Sequence, residues 1–277
     1  MNESPAGDPG PVLSIWAHYD DDLIFGNPTI DTAVVRGAPV TTVFLTCSDA
    51  GRGAAYVAGR EQGLKHAYEH MHGAPLTWRV GQRRIQDVPV LTWTAVEAPI
   101  TLGTLGLPDG RPNGAGFPET GSQSLRQVLE ETADGITPLT GGPRVSGEHL
   151  VDVIADLLER HAGGRILAHA PASAGPLARE DHSDHWSTGE FVRRAAARAG
   201  IGDDGVSWRI GYPSVGLPAT HDEAVLRRKV EVFRTYAAHD PVVARDDPEE
   251  TLALRGFGQW LRRSYGIDPA TGTPTAL

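Results

Sequence analysis

Residues 12–22 read VLSIWAHYDDD, and this stretch decides the fold. Its first six letters form a short apolar run that ends at a charged cluster, which is typical of a buried strand. A second apolar run covers 40–46, and residues 29–36 between the two runs have helical spacing that ends at Gly37. Strand, helix and strand in this order predict parallel pairing. We therefore expect an α/β fold with a Rossmann-like, mostly parallel sheet flanked by helices.

Further along the chain, helical and strand patterns continue to alternate. We expect one domain over 1–277, with a loose tail at 265–277 because that stretch is rich in Thr, Pro and Ala. Thr220 and Glu223 form a capping-box pattern at the start of the last long helix. The remaining predictions are helices over 54–72, 125–133, 150–158, 187–199 and 220–239, and strands within 78–100 and over 165–169.

Residues 103–147 hold ten glycines and five prolines, a density that breaks regular structure. We expect loops around one short helix there. Long loops of this kind in α/β enzymes often wall or cover an active site. A linker between two domains is the alternative interpretation.

The overall composition limits the classes of function. With 277 residues the chain buries a full core without disulfides or a structural metal, so any metal that it binds is free to be catalytic. Acidic residues outnumber basic ones by 35 to 25, which disfavours nucleic acid as a partner. No apolar run approaches the roughly 20 residues that span a bilayer, and neither the start of the chain nor its single cysteine, Cys47, indicates secretion. We expect a cytoplasmic protein without membrane or nucleic-acid partners, and its oligomeric state is left open.

Two polar clusters occupy comparable places in the pattern. The first, HYDDD at 18–22, follows the first predicted strand, and the second, DHSDH at 181–185, comes after the strand that ends at His169. Each cluster alone is also explained by a solvated turn or a polar surface loop. In open parallel sheets, however, ligands bind beyond the carboxyl ends of the strands, so one fold brings both clusters to the same rim.

Together the clusters contain the ligands of a catalytic zinc site. Such a site takes three protein ligands from His, Asp or Glu and keeps one position open for water, and His18, Asp21 and His185 supply this set. Hydrolysis also needs a general base and a donor for the developing oxyanion, and Asp20 and His182 suit these two tasks. Because a nearby cation favours the carboxylate form, we expect a lowered pKa for Asp20.

These residues resemble the PIG-L/LmbE-like family of N-acetylglucosaminyl deacetylases. The family's Ala-His-Pro-Asp-Asp-Glu motif is similar to AHYDDD at 17–22, and its later His-Pro-Asp-His is similar to HSDH at 182–185. The resemblance covers about residues 12–240 and is weakest over 103–147. It implies a Zn²⁺- or Fe²⁺-dependent enzyme that removes an acetyl or acyl group from the amino group of a small glucosamine conjugate.

Weaker similarities imply residues that contact the substrate. TCSDAG at 46–51 and LPDG at 107–110 resemble recurrent family segments, and by analogy Arg60 and Asp109 contact the sugar. Tyr19 replaces the usual proline of the first motif and places an aromatic ring where a sugar can stack.

Two further departures from the family pattern leave the inferred ligands, base and donor in place. Ser183 replaces a proline, and Asp22 replaces a glutamate with a shorter side chain. We expect Asp22 and Asp184 to support the metal ligands through hydrogen bonds.

Residues 20–28, DDDLIFGNP, resemble actinobacterial members of secondary metabolism. Among these, the stretch resembles enzymes that deacetylate the N-acetylglucosamine of teicoplanin-type glycopeptide antibiotic pseudoaglycones. The alternatives are a mycothiol-pathway GlcNAc-inositol deacetylase or amidase and a non-catalytic sugar-binding domain on the same scaffold. A Mg²⁺ phosphotransfer site is disfavoured because two histidines with one carboxylate favour Zn²⁺ or Fe²⁺.

Overall fold

The structure, a computed structural model, describes residues 10–161 and 163–277. Residues 1–9, on which the expectation of a protein that is not secreted was based, lie outside the described residues. A nine-stranded sheet forms its centre. The strands are β1 (Val12–Trp16), β2 (Val40–Thr46), β3 (Trp78–Ile85), β4 (Val88–Ala95), β5 (Ile100–Leu107), β6 (Arg165–His169), β7 (Val206–Arg209), β8 (Tyr265–Asp268) and β9 (Thr273–Ala276).

The sheet order is β3-β4-β5-β2-β1-β6-β7-β8-β9. The five strands from β5 to β7 pair in parallel, and both flanks of the sheet are antiparallel. The predicted α/β fold is therefore confirmed, with the parallel strands at its centre. β1 lies in the middle of these strands, which is why its apolar run is buried along its whole length.

Helices cover both faces of the sheet. Leu13 and Ile15 of β1 point to one apolar cluster, and Val12 and Trp16 point to the other, as the alternation of strand side chains requires. None of the described helices has the length and apolar character of a membrane-spanning segment. The helices are α1 (Thr29–Val35), α2 (Ala54–His72), α3 (Leu125–Leu129), α4 (Gly147–Arg160), α5 (Pro176–Arg179), α6 (Ser183–Arg198), α7 (Glu223–Ala237), α8 (Pro248–Ala253) and α9 (Phe257–Trp260).

Three predictions about local structure outside the two polar clusters are wrong. Residues 103–107 belong to β5 and not to a loop, because pairing with β2 overrides the glycines of this strand. The stretch 265–277 is not a loose tail, since it contains β8 and β9, which form one edge of the sheet. The last long helix is capped by Asp222, whose side chain accepts from the Val225 N–H at 2.8 Å, and not by Thr220.

Candidate active site

Both polar clusters lie at the carboxyl rim of the parallel strands. His18 and Asp21 follow β1 directly and precede one π-helical turn at Asp22–Gly26. The second cluster is not a loop before a helix, as the sequence suggested. α6 already begins at Ser183, so that His185 lies in its first turn and helical backbone fixes the direction of the imidazole.

Three potential ligand side chains converge at this rim. His18 Nδ1 lies 3.2 Å from His185 Nε2, Asp21 Oδ2 lies 3.3 Å from the first nitrogen, and Asp21 Oδ1 lies 3.1 Å from the second. All three side chains are buried. Atoms bonded tetrahedrally to zinc at about 2.0–2.1 Å are about 3.3–3.4 Å apart. Each of these pairs of atoms therefore has about the spacing of two zinc ligands, with a different oxygen of Asp21 next to each imidazole.

The outer nitrogen of each imidazole is bonded to a carboxylate. His185 Nδ1 donates to Asp181 Oδ1 at 2.9 Å, and His18 Nε2 donates to Asp184 Oδ2 at 3.3 Å. These bonds place a proton on each outer nitrogen, so that the lone pairs of the inner nitrogens point towards each other and Asp21. Two lone pairs at this spacing repel each other unless a proton or a metal ion lies between them. The donor set therefore fits a bound cation.

The pKa values of the two histidines and of Asp21 also show that this site favours positive charge. Burial lowers the pKa of His185, but Asp21 and Asp181 outweigh it and raise the pKa to about 9. Burial also opposes protonation of His18, yet Asp21 and Asp184 raise its pKa well above the usual value. Burial raises the pKa of Asp21, whereas the neighbouring histidines hold it well below the usual range. The buried carboxylates thus stabilise a cation at this point, either protons or a metal ion.

Neighbouring side chains add further potential ligands. In the part of the chain that the structure describes, three overlapping groups of His and Asp each have their ligand atoms within 4.8 Å of one another. The groups are His18, His182 and His185; His18, Asp109, His182 and Asp184; and Asp21, His169 and His185.

Asp20 lies beside the potential ligands, and Arg60 holds its carboxylate. Arg60 Nη2 donates to Asp20 Oδ1 at 2.8 Å, Nη1 donates to the Ser48 carbonyl oxygen at 3.0 Å, and Nε lies 3.3 Å from Asp240 Oδ2. Burial raises the pKa of Asp20 by more than Arg60 lowers it. The sequence-based expectation of a lowered pKa applies to the protein with a cation bound beside Asp20, so it stays a prediction.

His182 is the N-cap of α6, and the helix orients its ring. The backbone N–H of Asp184 donates to His182 Nδ1 at 3.1 Å, so the proton of the neutral ring is on Nε2. Burial lowers the pKa of His182 well below its usual value, and the charges of His18 and His185 lower it further. His182 is therefore a neutral imidazole whose Nε2–H is a hydrogen-bond donor, with its ring centroid 4.7 Å from that of His18.

A comparison with protein families identifies the family of a chain that has these two polar clusters. The sequence profile of PIG-L, described as GlcNAc-PI de-N-acetylase, matches residues 13–196, which contain both polar clusters. The chain belongs to the PIG-L family. A comparison with curated proteins found no match.

Two solved structures are similar to this PIG-L protein over most of its length. The conserved protein TT1542 from Thermus thermophilus is 17% identical, with 92% of this chain and 91% of that chain covered and a TM-score of 0.44. The zinc inhibited form of teicoplanin deacetylase Orf2 is 12% identical, with 93% of this chain and 96% of that chain covered and a TM-score of 0.46. The family assignment rests on the sequence profile and not on these two structures.

The PIG-L site includes two supporting side chains that the sequence analysis did not assign. His169 Nε2 donates to Asp21 Oδ2 at 3.0 Å, and its ring stacks on that of His185 with centroids 4.0 Å apart. Asp181 accepts from His185 and also from the backbone N–H of Gly211 at 3.0 Å. Both had a signal in the sequence, because His169 ends a predicted strand and Asp181 belongs to the second polar cluster.

The loop that follows β5 forms one wall of the site. The Gly110 N–H donates to Asp184 Oδ2 at 2.7 Å, and Ser183 Oγ donates to the Arg111 carbonyl oxygen at 2.7 Å. Asp109 Oδ2 lies 3.7 Å from His18 Nε2. This part of the Gly/Pro-rich segment therefore contacts the candidate metal centre directly, and Asp184 links the loop to the ligand His18.

The structure corrects three expectations about individual residues. Tyr19 is 1% exposed and its ring packs against Phe44, so it offers no face to a sugar. Arg60 is 6% exposed and its donors are engaged within the protein, so it positions a neighbouring carboxylate and does not reach the sugar. Asp22 accepts from the Tyr68 hydroxyl at 2.8 Å and supports the contact with α2 and not the metal ligands.

Proposed function

We propose that this protein is a zinc-dependent amidohydrolase that removes the acetyl group from the amino group of a glucosamine conjugate. The observation that carries the proposal is the convergence of two imidazole lone pairs and one carboxylate at 3.1–3.3 Å from one another. Membership of the PIG-L family supports the reaction type and the amino sugar.

The proposed ligands are His18 Nδ1, Asp21 and His185 Nε2. Zn²⁺, or Fe²⁺ in its place, suits two imidazoles and one carboxylate, whereas Mg²⁺ prefers oxygen ligands. When bound, such an ion polarises the amide carbonyl and makes water a stronger nucleophile at neutral pH. Asp181 and Asp184 hold the two imidazoles in the tautomers that this role requires.

Asp20 is the proposed general base. Its Oδ1 is occupied by Arg60, which leaves Oδ2 to accept a proton from the attacking water. Burial raises the pKa of Asp20 by more than Arg60 lowers it, whereas a divalent cation bound nearby would lower the pKa and keep the carboxylate ionised, as a base requires. Arg60 is a positioning residue that fixes the direction of this carboxylate.

His182 is the proposed donor to the carbonyl oxygen. The backbone N–H of Asp184 occupies Nδ1, so Nε2–H faces away from the helix and is able to stabilise negative charge that develops on the substrate. A neutral imidazole is sufficient for this task because it donates a hydrogen bond without giving up its proton.

The proposed substrate is an N-acetylglucosaminyl glycopeptide antibiotic pseudoaglycone. This narrower step is supported by the resemblance of residues 20–28 to the corresponding branch of the family. The proposed location is the cytoplasm.

Release of acetate from N-acetylglucosamine conjugates tests the function. The metal-loaded protein is expected to release one acetate per free amino group formed, and the His185→Ala variant is expected to release none. N-acetylated amino acids serve as control substrates. Binding of the conjugates without any release of acetate would show a sugar-binding domain and would exclude the enzyme.

A further inference from the structure

The side chain of Arg209, the last residue of β7, is buried without a carboxylate partner. Arg209 is 3% exposed. Its Nη2 donates to the Thr29 hydroxyl at 3.1 Å, whereas Nε and Nη1 have no acceptor among the described residues. Burial and, to a smaller extent, the charge of Arg165 lower the pKa of Arg209 to about 10, so the guanidinium stays charged at neutral pH. A full positive charge with unused hydrogen-bond donors therefore lies inside the protein.

Lys229 on α7 brings a second positive group to the same region. The residue is 2% exposed, and its Nζ donates to the Arg263 carbonyl oxygen at 2.8 Å and lies 3.3 Å from both Ser264 Oγ and His221 Nε2. These three acceptors engage the N–H groups of the ammonium but carry no negative charge. Burial lowers the pKa of Lys229 well below its usual value, and the charge of Arg209 lowers it further. The two side chains are therefore close enough for their charges to repel each other.

The segment 27–29, which leads into α1, lies against both groups. Arg209 Nη2 contacts its last residue through the Thr29 hydroxyl. Ser264, which lies 3.3 Å from Lys229 Nζ, has its Oγ 2.7 Å from the carbonyl oxygen of the first residue, Asn27. Ser264 also precedes β8, the strand that pairs with Arg209 of β7. The end of β7, the start of α1 and α7 thus enclose one positively charged region.

The protein itself does not neutralise this region. In the part of the chain that the structure describes, neither Arg209 nor Lys229 forms an ion pair with a carboxylate. The neighbouring Arg228 and Asp31 pair with each other at 2.8 Å. Buried charges are strongly destabilising unless a charge of opposite sign accompanies them. A groove of about 240 Å³, which is lined by Lys229 and part of the segment 27–29, gives an ion from solution access to the region.

We propose that the protein binds a small monovalent anion, of the size of chloride, against Arg209 and beside Lys229. The site goes beyond the proposed deacetylase function and does not depend on it. The unused donors belong to one guanidinium, since the N–H groups of Lys229 are engaged, and one guanidinium suits an ion with a single charge. A tetrahedral dianion such as sulfate needs donors on several sides. The bound anion connects β7 to the start of α1 and to α7.

Thermal unfolding of the full chain at constant ionic strength tests the site. The protein is equilibrated with sodium gluconate, whose anion is much larger than chloride, and gluconate is then replaced in steps by chloride up to about 100 mM. The unfolding midpoint is expected to rise by about 2–5 °C and to saturate, because a ligand that binds only the folded state stabilises that state. Sulfate in place of chloride is expected to give no saturable rise at low concentration.

Variants assign the effect to the two buried groups. Arg209→Gln removes the charge and the unused donors and is expected to abolish the rise. Lys229→Met keeps the length of the side chain and is expected to weaken chloride affinity by about threefold to tenfold, because one of two positive charges is lost. Arg228→Gln is the matched control. It removes a positive charge one residue before Lys229, from a side chain that is paired with Asp31, and is expected to keep the wild-type rise.

Broadening of the chlorine NMR signal by the folded protein measures the same binding without unfolding. Wild type is expected to broaden the signal, and Arg209→Gln is expected to broaden it much less. Equal midpoints of wild type in chloride and gluconate, or the same rise in wild type and Arg209→Gln, would overturn the anion site and leave water at the unused donors. If Arg209→Gln does not fold, Lys229→Met decides: weaker chloride affinity supports the site, and wild-type affinity overturns it.

Discussion

Each imidazole of the site has one nitrogen bonded to the protein, and that bond decides what the other nitrogen does. A carboxylate holds the outer nitrogen of His18 and of His185, which turns the inner nitrogen into a lone-pair ligand. A backbone N–H instead occupies Nδ1 of His182, which turns its Nε2 into a donor. His182 and His185, three positions apart at the start of one helix, therefore have different roles.

Substitution of these two histidines is expected to separate metal binding from turnover. His185→Ala removes one of three ligands and should lose metal and activity together. His182→Ala should keep the metal and slow turnover by roughly a hundredfold or more, because it removes an oxyanion donor. Metal content and kcat are measured on the same preparations. Equal loss of metal in both variants would show that the two roles are assigned wrongly.

Asp20→Asn is expected to bind metal normally and to lose roughly two to four orders of magnitude in turnover, since the amide keeps the shape of the carboxylate but accepts no proton. The acidic limb of its pH–rate profile should flatten. Asp240→Asn is the matched control, because Asp240 contacts Nε of the same Arg60 guanidinium and should slow turnover much less. A fully metallated Asp20→Asn enzyme within about threefold of wild type would assign the base to another group.

At the level of elements, apolar periodicity predicted the secondary structure around the site. β2 and α2 begin and end where the sequence placed them, since β2 is a continuous run that is mostly buried, and Gly73 ends α2 in a left-handed conformation. β8 and β9 were missed because their residues lack alternation and become strands only by pairing at the sheet edge.

The same limit applies to the site residues. The ligand positions were visible because they are close together within two motifs. The contact between Arg60 and Asp20 joins a helix to a turn forty residues earlier, and no local pattern shows it. The burial of the Tyr19 ring also depends on packing that strand and helix periodicity do not describe.

Substitutions at Gly211 and Gly216 test whether the position of Asp181 controls metal binding by His185. A Cβ at Gly211 would overlap the Asp181 carboxylate and lie 2.8 Å from His185 Nδ1, whereas a Cβ at Gly216 meets nothing within 4 Å. Gly211→Ala is therefore expected to weaken metal affinity by about 10–100-fold, the usual effect of displacing a group that orients a ligand. Gly216→Ala should bind metal like wild type. Equal affinities in a competition titration with a chelator would contradict this account of Asp181.

At the scale of the whole molecule, His221 makes stability depend on pH. Lys229 Nζ and Ser264 Oγ lie 3.3 Å and 3.1 Å from His221 Nε2, which accepts from them only while the ring is neutral. Burial and the Lys229 charge lower the pKa of His221 to about 4, below the value of about 6.5 for an unfolded chain. Between these two values the unfolded state binds more protons, so the free energy of unfolding falls as the pH falls.

Urea unfolding at pH 7.5 and pH 5 measures this contribution. Because the ring is only half-buried, wild type is expected to lose about 1 kcal/mol more than His221→Gln between the two pH values. His149→Gln, at an exposed histidine on α4, is the control and should follow wild type. Identical losses in wild type and His221→Gln would refute the assignment.

The account depends most on one metal ion at His18, Asp21 and His185, and a zinc titration tests this directly. Protein stripped with a chelator receives zinc in steps, and bound zinc and acetate release from a methyl N-acetylglucosaminide are measured in each sample. We predict no release without metal, a linear rise up to one bound ion per chain, and no recovery in His185→Ala at the same zinc concentration. Full activity of the stripped protein, or equal recovery in wild type and His185→Ala, would contradict the account.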